Sequence, residues 1–278
     1  MLPARVSLRF ALVLVLVGWS GTGCQSGTTP RMEASFVVPR DTLAPPTAAE
    51  RDSALARLRT MQRTAFDSAF VRMRTYRFTR HQRTEHLTPR GAIAALHERM
   101  LRYTSASESP TIVASDSVGP FPQPVLSTFG PENDIGSMPA NVAPDAFPED
   151  AAYLSPRTQD DFRYWLRSDT LDGVSVDKVI IRPTRSPTGR EQAVRYAHVL
   201  IDPSSGNVLE AYTQRSSQVL LFREESRLFV RLRRAPDGTW VPHLARFHTL
   251  VDLPFRAPRT VRTVSAYANY AHREADAP

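Results

Sequence analysis

RYAHVLIDPSSGNVLEAYTQ, residues 195–214, is the stretch that decides the fold. Two runs rich in β-branched, aromatic and aliphatic residues flank Pro203-Ser204-Ser205-Gly206-Asn207. Those five are turn formers, so the stretch reads as strand, turn, strand. The same punctuation returns at Asp172-Gly173 and at Pro236-Asp237-Gly238. Working outward, Phe162–Arg167, Val174–Arg182, Arg195–Asp202, Val208–Gln214, Val219–Arg223, Arg227–Arg234, Thr239–Leu250 and Thr260–Tyr270 read as eight strands. In Arg227–Arg234 the residues Leu228, Val230 and Leu232 share one face, and Arg227, Arg231 and Arg233 share the other with Phe229. That alternation suits a sheet with one buried and one wet face. A parallel sheet needs long crossover connections, and no helical segment lies between these strands. The expected class is therefore α+β and β-rich: one long, curved antiparallel sheet, an incomplete barrel, covered by an N-terminal helix.

The helix follows from a different period. Thr47-Ala48-Ala49-Glu50 is a capping-box pattern, in which the Thr47 hydroxyl accepts the Glu50 N–H. Behind it Leu55, Leu58, Met61, Ala65, Phe66, Ala69, Phe70 and Met73 recur at spacings of three and four. One amphipathic helix of about 25 residues, ending near Arg74, is predicted from this stripe, which covers a face of the sheet. From Tyr76 the period falls to two: Tyr76–Thr79 and Arg99–Tyr103 read as strands, and Pro89–Glu98 between them as a short helix or a broad turn. Thr104–Pro156 is rich in Pro, Gly, Ser and Asp and reads as one long loop over the sheet, with Phe121, Phe129 and Phe147 as anchors.

The N-terminus carries an address. Arg5 and Arg9 precede the apolar run Phe10–Val17, which is too short to span a bilayer. Small residues follow, and then Cys24, the only cysteine of the 278-residue chain. This order resembles a bacterial lipoprotein signal. The resemblance implies removal of residues 1–23, acylation of Cys24 and a membrane tether. Gln25–Ser26, with no aspartate, implies sorting to the outer membrane, facing the periplasm. Residues 24–47 are rich in Pro, Thr, Ser and Gly and read as a flexible tether. Residues 48–272 form a single domain, and 273–278 a disordered tail. No later segment is apolar enough to cross a membrane as a helix.

Composition narrows the partners. The net charge of +7 falls to +5 once Arg5 and Arg9 leave with the signal, and Lys178 is the only lysine. The arginines are scattered among acids without a basic stripe or a basic–aromatic repeat, which argues against nucleic acid. Hydrophobic residues make up 41 %, ordinary for a packed domain.

Chemistry-bearing motifs are sparse. His81/His86 and His243/His248 lie five apart, a spacing that suits no helical metal pair, and His97-Glu98 lacks a second histidine. Gly136-Ser137-Met138 lacks the closing glycine of a nucleophile elbow. The pairs Glu132/Asp134, Glu149/Asp150, Asp160/Asp161 and Glu224/Glu225 read as solvated turn acids, without the ligand pattern of a calcium loop. No cofactor or metal site is expected. Trp165, Trp240 and Tyr267 are strand aromatics that suit a core or a groove.

Two motifs carry a family resemblance. Tyr196–Glu210 (YAHVLIDPSSGNVLE) resembles the strand–turn–strand hairpin of the bacterial lipoprotein-carrier superfamily, and Asp237–Pro242 (DGTWVP) resembles its later turn before a long strand. That superfamily includes the Lol-type carriers and related anti-sigma-factor regulators. The resemblance covers about Tyr153–Tyr270. It implies a half-barrel with a helical lid whose inner face receives an acyl chain or another hydrophobic guest. The expected function is thus a non-enzymatic lipoprotein that holds a lipid, another hydrophobic ligand or an envelope partner protein. Phe66, Phe70, Leu228, Val230, Leu232 and Trp240 are the candidate groove residues, and Cys24 is the lipid attachment point. Two alternatives stand beside it. One is a periplasmic hydrolase with its site under residues 104–156, its nucleophile in reach of His198 or His243. The other is a packed structural module of the envelope.

Overall fold

In the computed structural model the described residues are 43–104, 110–120, 151–185, 193–219, 222–252 and 257–272. Ten strands build one sheet: β1 (Tyr76–Leu87), β2 (Ile93–Tyr103), β3 (Thr111–Val118), β4 (Phe162–Leu171), β5 (Val174–Pro183), β6 (Ala193–Ile201), β7 (Val208–Val219), β8 (Phe222–Arg234), β9 (Trp240–Asp252) and β10 (Arg259–His272). Their order is β3-β2-β1-β10-β9-β8-β7-β6-β5-β4, with every neighbouring pair antiparallel. The sheet is not closed: β3 and β4 are its two edges. The fold is β-rich α+β, as the alternation in the C-terminal half requires.

The turns obey their residues. Asp172 and Gly173 both take positive φ (51° and 82°), the two-residue hairpin turn that matches strand twist. Gly91 (φ 81°) turns β1 into β2, with the Thr88 N–H donating to Ala92 O at 2.7 Å. The stretch read as a short helix or broad turn is therefore a tight hairpin followed by strand from Ile93 onward. Val219–Arg223 is not a strand of its own; its described residues are the end of β7 and the start of β8. The stretch 104–156 is not loop throughout, because β3 lies inside it. Its phenylalanine anchors lie outside the described residues.

The helical layer also departs from expectation. Instead of one helix there are two, α1 (Ala48–Arg59) and α2 (Arg63–Arg72), then a single 3₁₀ turn at Met73–Thr75. The capping half of the box forms, with Glu50 N–H on Thr47 Oγ1 at 3.2 Å, but the Glu50 carboxylate turns to Arg167 instead of reaching back. The break falls at Thr60–Gln62 because the backbone is captured by the β6–β7 hairpin. Gln62 N–H donates to Gly206 O at 2.7 Å, and Gln62 bridges to Asn207. The stripe survives the break because both helices bury the same side: Ala54, Leu55 and Leu58 from α1, and Phe66, Ala69 and Phe70 from α2. Pattern reading follows side chains and cannot see a backbone capture. No helix among the described residues is long and apolar enough to cross a membrane.

Gly206 makes that junction possible. Its φ is +72°, and a Cβ there would stand 2.6 Å from the Thr60 carbonyl oxygen. Gly206→Ala meets both a disfavoured backbone region and a backbone atom with nowhere to go. We expect a loss of about 3 kcal/mol, a drop in melting temperature of about 6–12 °C for a domain this size. Gly238 is the control. Its φ is +84° but nothing lies within 4 Å of the built Cβ, so Gly238→Ala should lose only about 1 kcal/mol. Paired thermal melts by circular dichroism compare the two; equal losses would show that the helix break and the hairpin do not bear on each other.

Candidate functional site

Alternation gives the sheet two distinct faces. The helix-facing side carries Tyr76, Phe78, Tyr164, Val179, Ile181, Ala197, Val199, Ala211, Leu228, Val230, Ala245 and Tyr267, joined to the helices in one apolar cluster. α1 lies on β4 and β5, and α2 on β7 and β9. Charged pairs pin α1: Arg51 to Asp160 at 2.6 Å, Arg57 to Asp177 at 2.5 Å, and Glu50 to Arg167. α2 begins without a side-chain cap, at Gln62, and sends Phe66 and Phe70 inward as an edge-to-face pair 5.7 Å apart.

All six candidate groove residues are brought together here. Phe66 is fully buried, and Phe70, Leu228, Val230 and Leu232 are buried with it. Trp240 is half-buried and packs on the same cluster, with Arg234 over its ring at 5.0 Å. Residues up to 174 positions apart in the chain (Phe66 to Trp240) thus share one interface between the helices and the sheet. Cys24 lies outside the described residues, as do the acids Glu132, Asp134, Glu149 and Asp150.

Along β1 and β10 the same face changes character. Phe78 stacks on Tyr103 at 4.4 Å and on Tyr270 at 5.5 Å, and Tyr76 meets Tyr270 edge-on. Next to this aromatic group sits Arg80, fully buried, donating from Nε and Nη2 to Ser265 Oγ at 3.2 and 3.0 Å over the Tyr267 ring. The register continues the polar row with Gln82, Thr84, Thr263 and Ser265, all buried. Arg99 Nη2 donates to Gln82 Oε1 at 3.3 Å, and the Thr84 and Thr263 hydroxyls lie 3.3 Å apart. Burial pushes the Tyr267 phenol above its ordinary range, against the pull of Arg80. Burial also raises Tyr270 well above its ordinary range, and its hydroxyl donates to Pro242 O at 2.6 Å. None of the residues in this polar row is among the candidates read from the sequence. The signal was available: once Tyr76 and Phe78 face inward, Arg80, Gln82 and Thr84 must follow them.

The opposite face holds a second buried constellation. His198 stacks on Tyr212, contacts Tyr196 Oη through Nδ1 at 3.3 Å, and Glu210 Oε1 through Nε2 at 3.0 Å. Arg231 completes it with Nε on Glu210 Oε2 at 2.6 Å. Burial alone would raise the Glu210 carboxyl. His198 and Arg231 outweigh it and hold the group below its ordinary value. Tyr212, by burial, is pushed up to about 12. His243 is lowered by burial, with Arg233 adding to it, and its Nδ1 lies 3.4 Å from Tyr267 O. Neither histidine is bonded to a serine, threonine or cysteine side chain among the described residues. Also among the described residues, no group of three or more His, Cys, Asp or Glu stands together as a metal site. Trp165 and Tyr267, weighed as core or groove, are both buried, on opposite faces of the sheet.

No family model matches the chain, and no curated protein matches it significantly. Among solved structures, a DUF1329 family protein from Desulfovibrio piger is similar at 10 % identity over 82 % of this chain and 95 % of that one, with a TM-score of 0.26. The tesB protein of Mycobacterium avium subs. paratuberculosis aligns at 12 % identity over 74 % of this chain and 85 % of its own, with a TM-score of 0.10. Scores at this level carry no argument about fold or activity, so the site has to be understood from its own geometry.

Proposed function

We propose that this chain is a lipoprotein tethered through Cys24 to the outer membrane, facing the periplasm, whose open sheet holds a hydrophobic guest rather than catalysing a reaction. The observation that carries the proposal is the joint between α2 and the sheet. Phe66 and Phe70 are its anchors, and they meet Leu228, Val230, Leu232 and Trp240 through apolar contacts on a sheet that is not closed into a barrel. Apolar contacts have no fixed geometry, so an acyl chain can take the place of the helix side chains at little cost. Each Å² of apolar surface it hides from water contributes roughly 25 cal/mol. α1 is joined to the sheet side by its ion pairs, and after the break at Thr60–Gln62 α2 docks by burying Phe66 and Phe70. That arrangement supports a lid.

Two measurements test the proposal separately. Cys24→Ala should move the protein from the membrane fraction to the soluble periplasmic fraction, since several acyl chains together give stable anchoring; unchanged membrane association would sink the tether. Native mass spectrometry of the Cys24→Ala chain, purified without detergent, should then show a discrete added mass that organic solvent removes. A bare protein mass after purification from lipid-rich cells would count against the guest.

A further inference from the structure

Seven large apolar side chains are exposed among the described residues, and five of them stand on two neighbouring strands: Ile93 and Met100 on β2, and Ile112, Val113 and Val118 on β3. β3 is an edge strand, every one of its eight residues is exposed, and Asp116 is its only charge. The other edge of the sheet is built differently. β4 carries Arg163, Arg167 and Asp169 on its exposed positions, and Glu50 of α1 is bound to Arg167. Charged residues on an edge are a common defence against unwanted pairing; β4 has three on exposed positions and β3 has Asp116 alone. Among the described residues, an exposed and largely apolar edge in a sheet whose opposite edge is charged indicates that β3 is open for a strand to add to it.

We infer that the added strand is β3 of a second copy of this chain, paired antiparallel about a two-fold axis. The sequence Thr111–Val118 fits itself in that arrangement. With the axis at Ser115, Ile112 lies opposite Val118 of the other copy, Val113 opposite Ser117, and Ala114 opposite Asp116. Each Asp116 therefore meets an alanine, and each exposed isoleucine meets a valine. A parallel in-register pairing would stack Asp116 on Asp116, which is destabilising. Growth of β3 on β4 would set an apolar strand against a charged one. The two-fold contact thus closes on itself as a dimer and does not propagate. Residues 43–47 run beside β4, at the far edge from β3, where Trp165 Nε1 donates to Ala44 O at 2.8 Å.

The test is sedimentation, over a range of concentrations, of the soluble Cys24→Ala chain, in which every further substitution is made. This parent should sediment as a dimer, and Ile112→Lys and Val113→Lys should each sediment as a monomer. Both positions are exposed in the single chain, so these variants should keep the parent circular dichroism spectrum and melting temperature. Ser115→Cys, at the axis, should give a covalent dimer under mild oxidation, whereas Val174→Cys, exposed at the start of β5, should not. A parent chain that remains monomeric throughout overturns the inference, and so does a dimer indifferent to both lysines. In the first case, capture of an extended peptide by β3 would point to a foreign strand as the occupant.

Discussion

Phe66→Asp is expected to release α2 from the sheet and abolish guest binding together. The side chain is fully buried against Phe70 and the apolar face of β7–β9. Removing the ring alone would cost about 3–5 kcal/mol by the behaviour of buried phenylalanines. A carboxylate left there without a partner adds several kcal/mol more, which the helix avoids only by undocking. The signature is specific. Amide exchange should rise in 63–72 and in the facing parts of β8 and β9, while α1, held by its ion pairs, keeps its protection. The added mass in native spectra should vanish. Phe66→Leu, which keeps the apolar contact, should retain both. Retained protection across 63–72 in Phe66→Asp would mean that α2 does not dock through this residue.

Glu210→Ala is the second large effect, and it lies on the opposite face. Its carboxylate accepts from His198 and from Arg231, and the residue is 4 % exposed. Deleting it takes the acceptor from His198 Nε2, in a buried ring, and from the half-shielded Arg231 guanidinium. We expect a loss of about 3 kcal/mol, at the low end for broken buried pairs because the Arg231 side chain is 35 % exposed. The pH dependence has a defined sign. A carboxyl held below its ordinary value in the folded state favours folding above the pKa of the unfolded chain. That contribution fades as pH falls through the folded value. The parent should therefore lose stability on acidification below about pH 4, the ordinary carboxyl range, and the melting curves of parent and Glu210→Ala should converge there. Convergence in the alkaline direction instead would show that another group carries the effect.

The C-terminal sheet was legible where a strand, such as β8, has a wet face to contrast with its buried one. Leu228, Val230 and Leu232 against Arg227, Arg231 and Arg233 leave one way to pair. The turns were legible because Asp172-Gly173 and Gly206 supply conformations that other residues resist. Two features were not. The helix break depends on a backbone hydrogen bond from Gln62 to a glycine 144 residues away, and no side-chain pattern registers it. β3 was lost among prolines and serines because its eight residues are exposed on both faces, so it has no apolar alternation to read. Of the candidate site, the apolar half was visible in the helical stripe and the β8 alternation. The row at Arg80, Gln82 and Thr84 was obscured because polar residues at a strand position are normally taken as solvent-facing.

The pairing of β1 with β10 has a consequence for how the chain is assembled. The first and last strands lie side by side in mid-sheet, Tyr76 level with His272. The Tyr76 hydroxyl donates to Asp237 at 2.5 Å, and the His272 ring contacts the same carboxylate at 2.8 Å. A polypeptide emerging N-terminus first would finish the β1–β3 hairpins early and then hold them without their main partner until β10 arrived. Synthesis order and spatial order are offset by one rotation of the topology. The three-stranded leading piece is an orphan until β10 is made, and the clasp of Tyr76, Asp237 and His272 is a latch that cannot close before then.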